Sequence, residues 1–179
     1  MKKLTLILLC FYLFSCGSES NNDTQESSGQ QTTQPDINLA SEANGASVTA
    51  SYDQDSAQFV IDGDSTTSLY WSANVTDDFF TIDLGRTASV SAITVYTNDT
   101  SYSSQNPSKI VEVSNDGVTW LETVNAFGGD LRCSSSSTGS GRIYCKLSEN
   151  YSMRYLRLTI TATTDPGLIQ IHEVEIMGQ

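Results

Sequence analysis

Over short runs of the chain, apolar residues recur at every second position, and the runs are separated by clusters of Gly, Asn, Asp and Ser. That alternation is the mark of half-buried β-strands; no stretch of the C-terminal 140 or so residues holds a 3.6-residue period over three turns. It predicts strands at Ser47–Ser51, Phe79–Leu84, Val90–Tyr96, Ile110–Ser114, Trp120–Val124, Arg142–Leu147, Tyr155–Thr161 and Ile169–Met177. In the seventh, Leu156, Leu158 and Ile160 alternate with Tyr155, Arg157 and Thr159, so one face enters a core and the other stays more polar. Asn115-Asp116-Gly117 is the clearest turn, because Asp-Gly supplies the positive φ that tight hairpins require. Eight strands and a spare acidic loop predict an all-β fold, a jelly-roll sandwich.

The N-terminal part departs from this pattern twice. Met1-Lys2-Lys3 precedes an apolar run of eleven residues, Leu4 to Phe14. A membrane-spanning helix needs about 20, so the run has the shape of a secretory signal. It ends in Leu13-Phe14-Ser15-Cys16-Gly17, which looks like a bacterial lipobox with cleavage before Cys16 and lipid on its thiol; the alternative is an ordinary signal with a chance cysteine. From Gly17 to Ile37, Ser, Asn, Gln and Thr dominate, a composition that cannot bury enough apolar surface to fold. As a flexible coil this tether reaches about 25 Å. The expected organisation is therefore a signal over 1–15, a lipidated Cys16 with its tether over 16–37, and one domain over 38–179. The expected location is a bacterial envelope, with the chain anchored to the outer membrane or cell surface through Cys16.

Export changes the reading of the cysteines. Cys10 leaves with the signal and Cys16 is the expected lipid site, so Cys133 and Cys145 remain for the domain in a disulfide-permissive compartment. A bridge between them would close a serine-rich hairpin tip or long loop and stabilise the fold by about 3 kcal/mol; two free thiols are the alternative. The precursor carries a net charge of −12, and removal of Lys2 and Lys3 leaves −14. Such a surface repels phosphate backbones, so nucleic acid is excluded as a partner, and it favours cations.

The densest chemistry lies between Val60 and Trp71, where Asp62, Gly63, Asp64 and several hydroxyls crowd into one loop. Calcium takes 6–8 oxygen ligands from such groups. A second set of carboxylates follows at Glu173 and Glu175, on a strand-like alternation.

Several segments in order carry a resemblance. They are Asn38-Leu39-Ala40, Val48-Thr49-Ala50-Ser51, Ile61-Asp62-Gly63-Asp64 with Thr67 and Trp71, and Thr81-Ile82-Asp83-Leu84-Gly85. Val113-Ser114-Asn115-Asp116-Gly117-Val118-Thr119-Trp120, Arg154-Tyr155-Leu156-Arg157-Leu158, Glu173-Val174-Glu175-Ile176 and Gly178 complete them. The set resembles coagulation factor V/VIII type C (discoidin) domains, and particularly bacterial family 32 carbohydrate-binding modules. The resemblance implies a galactose-binding-like β-sandwich. It also implies a structural calcium held by the Phe59 carbonyl, Asp62, Asp64, Thr67 and Glu173, clamping an early loop to the last strand; a plain turn with solvated acids is the alternative.

In the modules it resembles, sugars bind on loops at one end of the sandwich. The corresponding candidates are Tyr52 and Tyr102 for stacking and Asp53, Asn98 and Arg132 for hydroxyls, from loops at 52–55, 98–102 and 127–132. Thr97-Asn98-Asp99 stands where galactose-binding members carry an arginine, so a galactose-type ligand is not implied. Asp83 and Asp116 read as structural hydrogen-bonding residues, Trp71 and Trp120 as mostly core, and Arg154 and Arg157 as partners of acids. A single histidine, His172, and the lack of any nucleophile elbow or phosphate loop argue against an enzyme. The expected partner is a glycan or glycoprotein, and the alternative is a protein bound by a non-catalytic adhesion module.

Overall fold

Two strands of nineteen residues set the architecture of the computed structural model: β4 (Phe79–Thr97) and β8 (Arg142–Ile160). The structure describes residues 34–99, 108–123, 132–136, 141–162 and 165–179, with backbone only for 132–136 and Ser148. Each long strand joins two of the segments that the sequence pattern separates, because the chain turns a corner without losing its ladder. β4 and β8 pair antiparallel from Phe79↔Thr159 to Tyr96↔Arg142, with an irregularity between Asp83 and Ala88.

That corner has a specific chemistry. Gly85 has a φ of +72°, which a side chain rarely adopts, and a Cβ there would approach the Gly45 carbonyl oxygen to 3.0 Å. The Asp83 carboxylate accepts from the Gly85 N–H at 2.8 Å and from Arg154 Nε and Nη2 at 2.8 and 3.0 Å. The guanidinium, and to a lesser degree the Gly85 N–H, holds the Asp83 carboxyl below its usual range. One carboxylate thus fastens the bend of β4 to the bend of β8.

Among the described residues, seven shorter strands complete two packed halves: β1 (Ile37–Asn38), β2 (Ser47–Ala50), β3 (Trp71–Ser72), β5 (Lys109–Ser114), β6 (Leu121–Glu122), β7 (Arg132–Ser136) and β9 (Gln170–Gly178). The first parts of β4 and last parts of β8 lie between β2 and β5, and β6 extends β5. The other parts lie between β9 and β7, while β1 and β3 flank β9. Between the halves Phe80, Ile82, Met153, Leu156, Leu158, Ile160, Ile171 and Ile176 are fully buried. The all-β jelly-roll sandwich is therefore the observed fold.

Three departures from the sequence pattern have physical reasons. β1 and β3 span two residues each, too short to show a period of two. Gln54–Ala57 makes one helical turn (α1), continued by a 3-10 turn at Gln58–Ile61, where a loop was expected; it buries Ala57, Val60 and Ile61. Asn115–Trp120 forms a longer connection than a two-residue hairpin: Asp116 accepts from the Val118 and Thr119 N–H groups at 2.8 and 2.7 Å, which holds its carboxyl well below the ordinary range. Gly178 closes the sandwich. A Cβ there would lie 2.2 Å from the Ser89 carbonyl oxygen, so no side chain fits where β9 meets β4.

Candidate functional site

Both ends of the bent ribbon come to one end of the sandwich, and the connections gathered there form its loop end. Ser51, just beyond β2, donates to Asp78 at 3.0 Å and exchanges bonds with Phe79 at the start of β4. The other Asp78 oxygen accepts from the Asn74 and Val75 N–H groups, closing the turn before β4. At the far end of β4, Asn98 donates through Nδ2 to the Leu168 carbonyl at 2.7 Å and accepts from the Gln170 N–H at 2.9 Å.

Tyr52 is displayed by this scaffold. The indole of Trp71, itself fully buried against Phe80, donates from Nε1 to the Tyr52 carbonyl at 2.8 Å. The Tyr52 side chain remains 45% exposed. Asp53 follows with a φ of +50°, its carbonyl accepting from the Ser56 and Ala57 N–H groups and its side chain exposed. Val75 and Leu168 lie exposed on neighbouring turns. Beneath them Lys109, 3% exposed, pairs with Asp99 at 3.1 Å; burial lowers the lysine's pKa and the carboxylate partly restores it.

The expected sugar-contact residues are therefore divided. Tyr52, Asp53 and Asn98 share the loop end, and the Asn98 amide holds the Leu168–Gln170 segment through one N–H and one oxygen lone pair. Asn98 thus acts as a brace within the loop end. Tyr102 lies outside the described residues. Arg132 is not in a loop: it begins β7 opposite Lys146. Gly141, whose carbonyl meets the Thr97 N–H, lies five residues from Lys146, which puts Arg132 about 17 Å along the strand from the loop end. The serine-rich run after it continues β7 rather than forming only a hairpin tip, since repeated serines give no apolar alternation to read.

The acidic loop meets β9 at the edge of the sandwich. Glu173 is 1% exposed; its Oε2 accepts from the Gly63 N–H at 3.1 Å, and its Oε1 is buried without a hydrogen-bond partner. Burial pushes the Glu173 carboxyl up to about 8, and the nearby charges of Asp62 and Glu175 add to the effect of desolvation. Asp62 lies within hydrogen-bonding reach of Glu173, yet two carboxylates have no proton to share once both ionise. A buried carboxylate with one orphan oxygen and a second carboxylate close by fits a bound divalent cation.

The remaining expected ligands are arranged less directly. The Asp64 carboxylate accepts from Thr66 Oγ1 and N–H at 2.7 and 2.9 Å, which lowers its pKa, and Thr67 Oγ1 accepts from the Leu69 N–H. Phe59 and Asp62 border a shallow depression of about 490 Å³ with Ser41 and Gln58. Among the described residues no cluster of three or more His, Cys, Asp and Glu forms, so carbonyls, hydroxyls and water would complete any coordination shell. His172 is occupied by the Leu69 carbonyl at 3.2 Å and the edge of Tyr70.

The arginines of β8 act structurally. Arg157 pairs with Glu112 at 2.8 Å and lies over the rings of Trp120 and Phe79, 4.2 and 5.5 Å from their centroids. Trp120 is thus a partly exposed lid on a guanidinium and not a core residue, a correction to its expected place. The i, i+2 alternation around it could not reveal this, because the contact crosses three strands.

The F5/8 type C domain model matches residues 41–174. The CpGH89CBM32-6 module produced by Clostridium perfringens shares the fold at a TM-score of 0.58 and 19% identity, covering 80% of this chain and 100% of that one. Chitosan-binding module 1 of a chitosanase/glucanase from Paenibacillus sp. IK-5 aligns at 0.53 and 24%, covering 79% and 99%. CpGH89CBM32-4 of Clostridium perfringens, in complex with GlcNAc-α-1,4-galactose, aligns at 0.55 and 16%, covering 80% and 94%. No curated sequence matches the chain. With the sandwich, its loop end and a family match over three quarters of its length, the chain belongs to the F5/8 type C (discoidin) domain family.

Proposed function

We propose that this chain is a non-catalytic carbohydrate-binding domain, tethered to a bacterial envelope by lipid on Cys16 and displaying its sugar site at the loop end. The observation that carries the reading is Tyr52, an exposed ring fixed through its own carbonyl by the buried Trp71, with Asp53 beside it. An aromatic face covers the apolar C–H face of a sugar, and a neighbouring carboxylate takes its hydroxyls. One similar module is a chitosan-binding module and another is in complex with a disaccharide, and this supports a glycan as ligand here.

Calcium has a structural part in this reading. Asp62 and Glu173, with the Phe59 carbonyl, Asp64 and Thr67, would hold the ion and tie the acidic loop to β9. When bound it supplies positive charge to the buried Glu173 oxygen. The Gly63 N–H orients the carboxylate, and the turn at Asp64 and Thr66 shapes the loop around it.

We also infer a Cys133–Cys145 bridge. The two occupy directly opposed positions on β7 and β8, and Cys145 faces inward at 8% exposure. Opposed antiparallel residues lie about 4.5–5.5 Å apart, within the Cα range of disulfides. Peptide mapping without reduction should find the two cysteines joined, and a reductant should lower stability by about 3 kcal/mol; alkylation of both in the unreduced, unfolded chain would refute the bridge.

A glycan array probed with the full chain, with calcium and with a chelator, tests the main reading. Binding to a defined set of glycans is expected. Silence across the array under both conditions would favour the second reading, a protein partner at the same end, for which exposed Val75 and Leu168 supply apolar contact.

A further inference from the structure

Basic residues are scarce in this domain, and their distribution is uneven. From residue 34 onward there are seven Lys and Arg against eighteen Asp and Glu. Three of the seven are neutralised in the ion pairs Lys109–Asp99, Arg154–Asp83 and Arg157–Glu112. Arg86 lies exposed at the β4 corner. The other three, Arg132, Arg142 and Lys146, all belong to β7 and the first part of β8.

The topology turns that into a surface. Ile143, Cys145 and Leu147 point into the core, so Arg142, Tyr144 and Lys146 share the outer face, with both cations exposed and Tyr144 half-buried. Arg132 takes the register position opposite Lys146, Ser134 that opposite Tyr144 and Ser136 that opposite Arg142. Directly opposed positions lie on one face of an antiparallel pair. Three adjacent segments, β7, residues 142–148 of β8 and residues 88–97 of β4, contain no acidic residue in a chain that has twenty-one. The nearest carboxylate on the next strand, Glu175, accepts from the Tyr96 hydroxyl at 3.2 Å, and Arg142 also reaches that hydroxyl.

We propose that this outer face of β8 is a second binding surface, for an acidic polysaccharide whose uronate carboxylates meet Arg142 and Lys146. Arg142 and Lys146 are separated by about 13 Å along the strand, which suits a chain with a charge on successive sugars better than a single small anion. Guanidinium forks match carboxylates in geometry as well as charge. Tyr144 sits between the two cations, where a sugar's C–H face would pass. Charge complementarity favours this occupant over an anionic bilayer. A bilayer would bring its whole charged plane against the acidic remainder of the domain, whereas a single polysaccharide strand need only follow the strip. The strip starts at Arg142, beside the loop end, and runs about 13 Å to Lys146; it shares no residue with the Tyr52 site, so separate substitutions test the two.

The test is binding of the full chain to polygalacturonate at low salt, with fully methyl-esterified polygalacturonate as the uncharged form of the same backbone. The expected result is binding to the acid form only, weakened by added salt. Arg142→Gln with Lys146→Gln should weaken it about tenfold or more, while Arg86→Gln leaves it unchanged. Both substituted positions are exposed, and matching thermal melts show that any loss is not unfolding. The proposal is overturned if the acid form does not bind, if the ester binds equally, if the double variant binds like the parent, or if dextran sulfate or anionic vesicles bind and polygalacturonate does not.

Discussion

Replacing Trp71 with alanine should cost about 3–5 kcal/mol of stability, the range for emptying a fully buried large aromatic site. The ring packs edge-on against Phe80, with centroids 5.1 Å apart at an interplanar angle of 82°, in the middle of the core. Its loss also strips the Tyr52 carbonyl of its N–H donor, so the loop that presents Tyr52 should loosen along with the core. Urea unfolding of parent and variant gives the first quantity, and amide exchange around residues 51–54 gives the second. A loss below about 1 kcal/mol, or unchanged exchange at the loop, would show that Trp71 neither anchors the core nor positions Tyr52.

Glu173 should make the stability of the metal-free chain fall as pH rises. In the unfolded chain a glutamate ionises near 4.5, whereas in the fold burial raises this carboxyl to about 8. Between those values the native state keeps a proton that the unfolded state has released, so the free energy of unfolding decreases with increasing pH. The decline should run from about pH 4.5 to about pH 8 and then level off, with a total of at most about 5 kcal/mol. Calcium favours the ionised form, so its stabilising effect should be small near pH 5 and largest at pH 8 and above. Glu173→Gln keeps an oxygen for the Gly63 N–H but removes the titration and the charge. It should flatten the pH dependence and abolish the calcium increment. Thermal melts of both proteins across this pH range, with calcium and with chelator, decide the matter; calcium-independent melting at pH 8 would sink the metal site.

The sequence made the core legible because it alternates. Phe80, Ile82 and Leu84, and then Leu156, Leu158 and Ile160, announced their buried faces, and the structure buries each of them. The joining of segments into β4 and β8 was not legible, since it depends on Asp83, Gly85 and Arg154 meeting across the bend from distant positions. β7 was hidden for another reason: Ser134, Ser135 and Ser136 lack the apolar alternation on which strand reading relies.

Site residues divided along the same line. Asp62 and Glu173 were found as carboxylates of the right type, and the fold brings them together; the orphan Glu173 Oε1 could be seen only in three dimensions. Asn98 looked like a free amide in a polar loop. Its two bonds to the 168–170 segment involve partners seventy residues away, which no local pattern reports. Arg132 was read as the last residue of a loop at 127–132, and the ladder with β8 begins at that residue.

The central claim is that Tyr52 at the loop end is the platform on which a sugar stacks. Its most direct measurement is calorimetric titration of a glycan selected on the array into the full chain and into Tyr52→Ala, at matched calcium and with thermal melts of both. Because Tyr52 is held through its backbone carbonyl and its side chain is nearly half exposed, the substitution should leave the melt almost unchanged. Affinity should fall about tenfold or more as the stacking contact is lost. Equal affinity of the two proteins would place the sugar elsewhere and contradict the account.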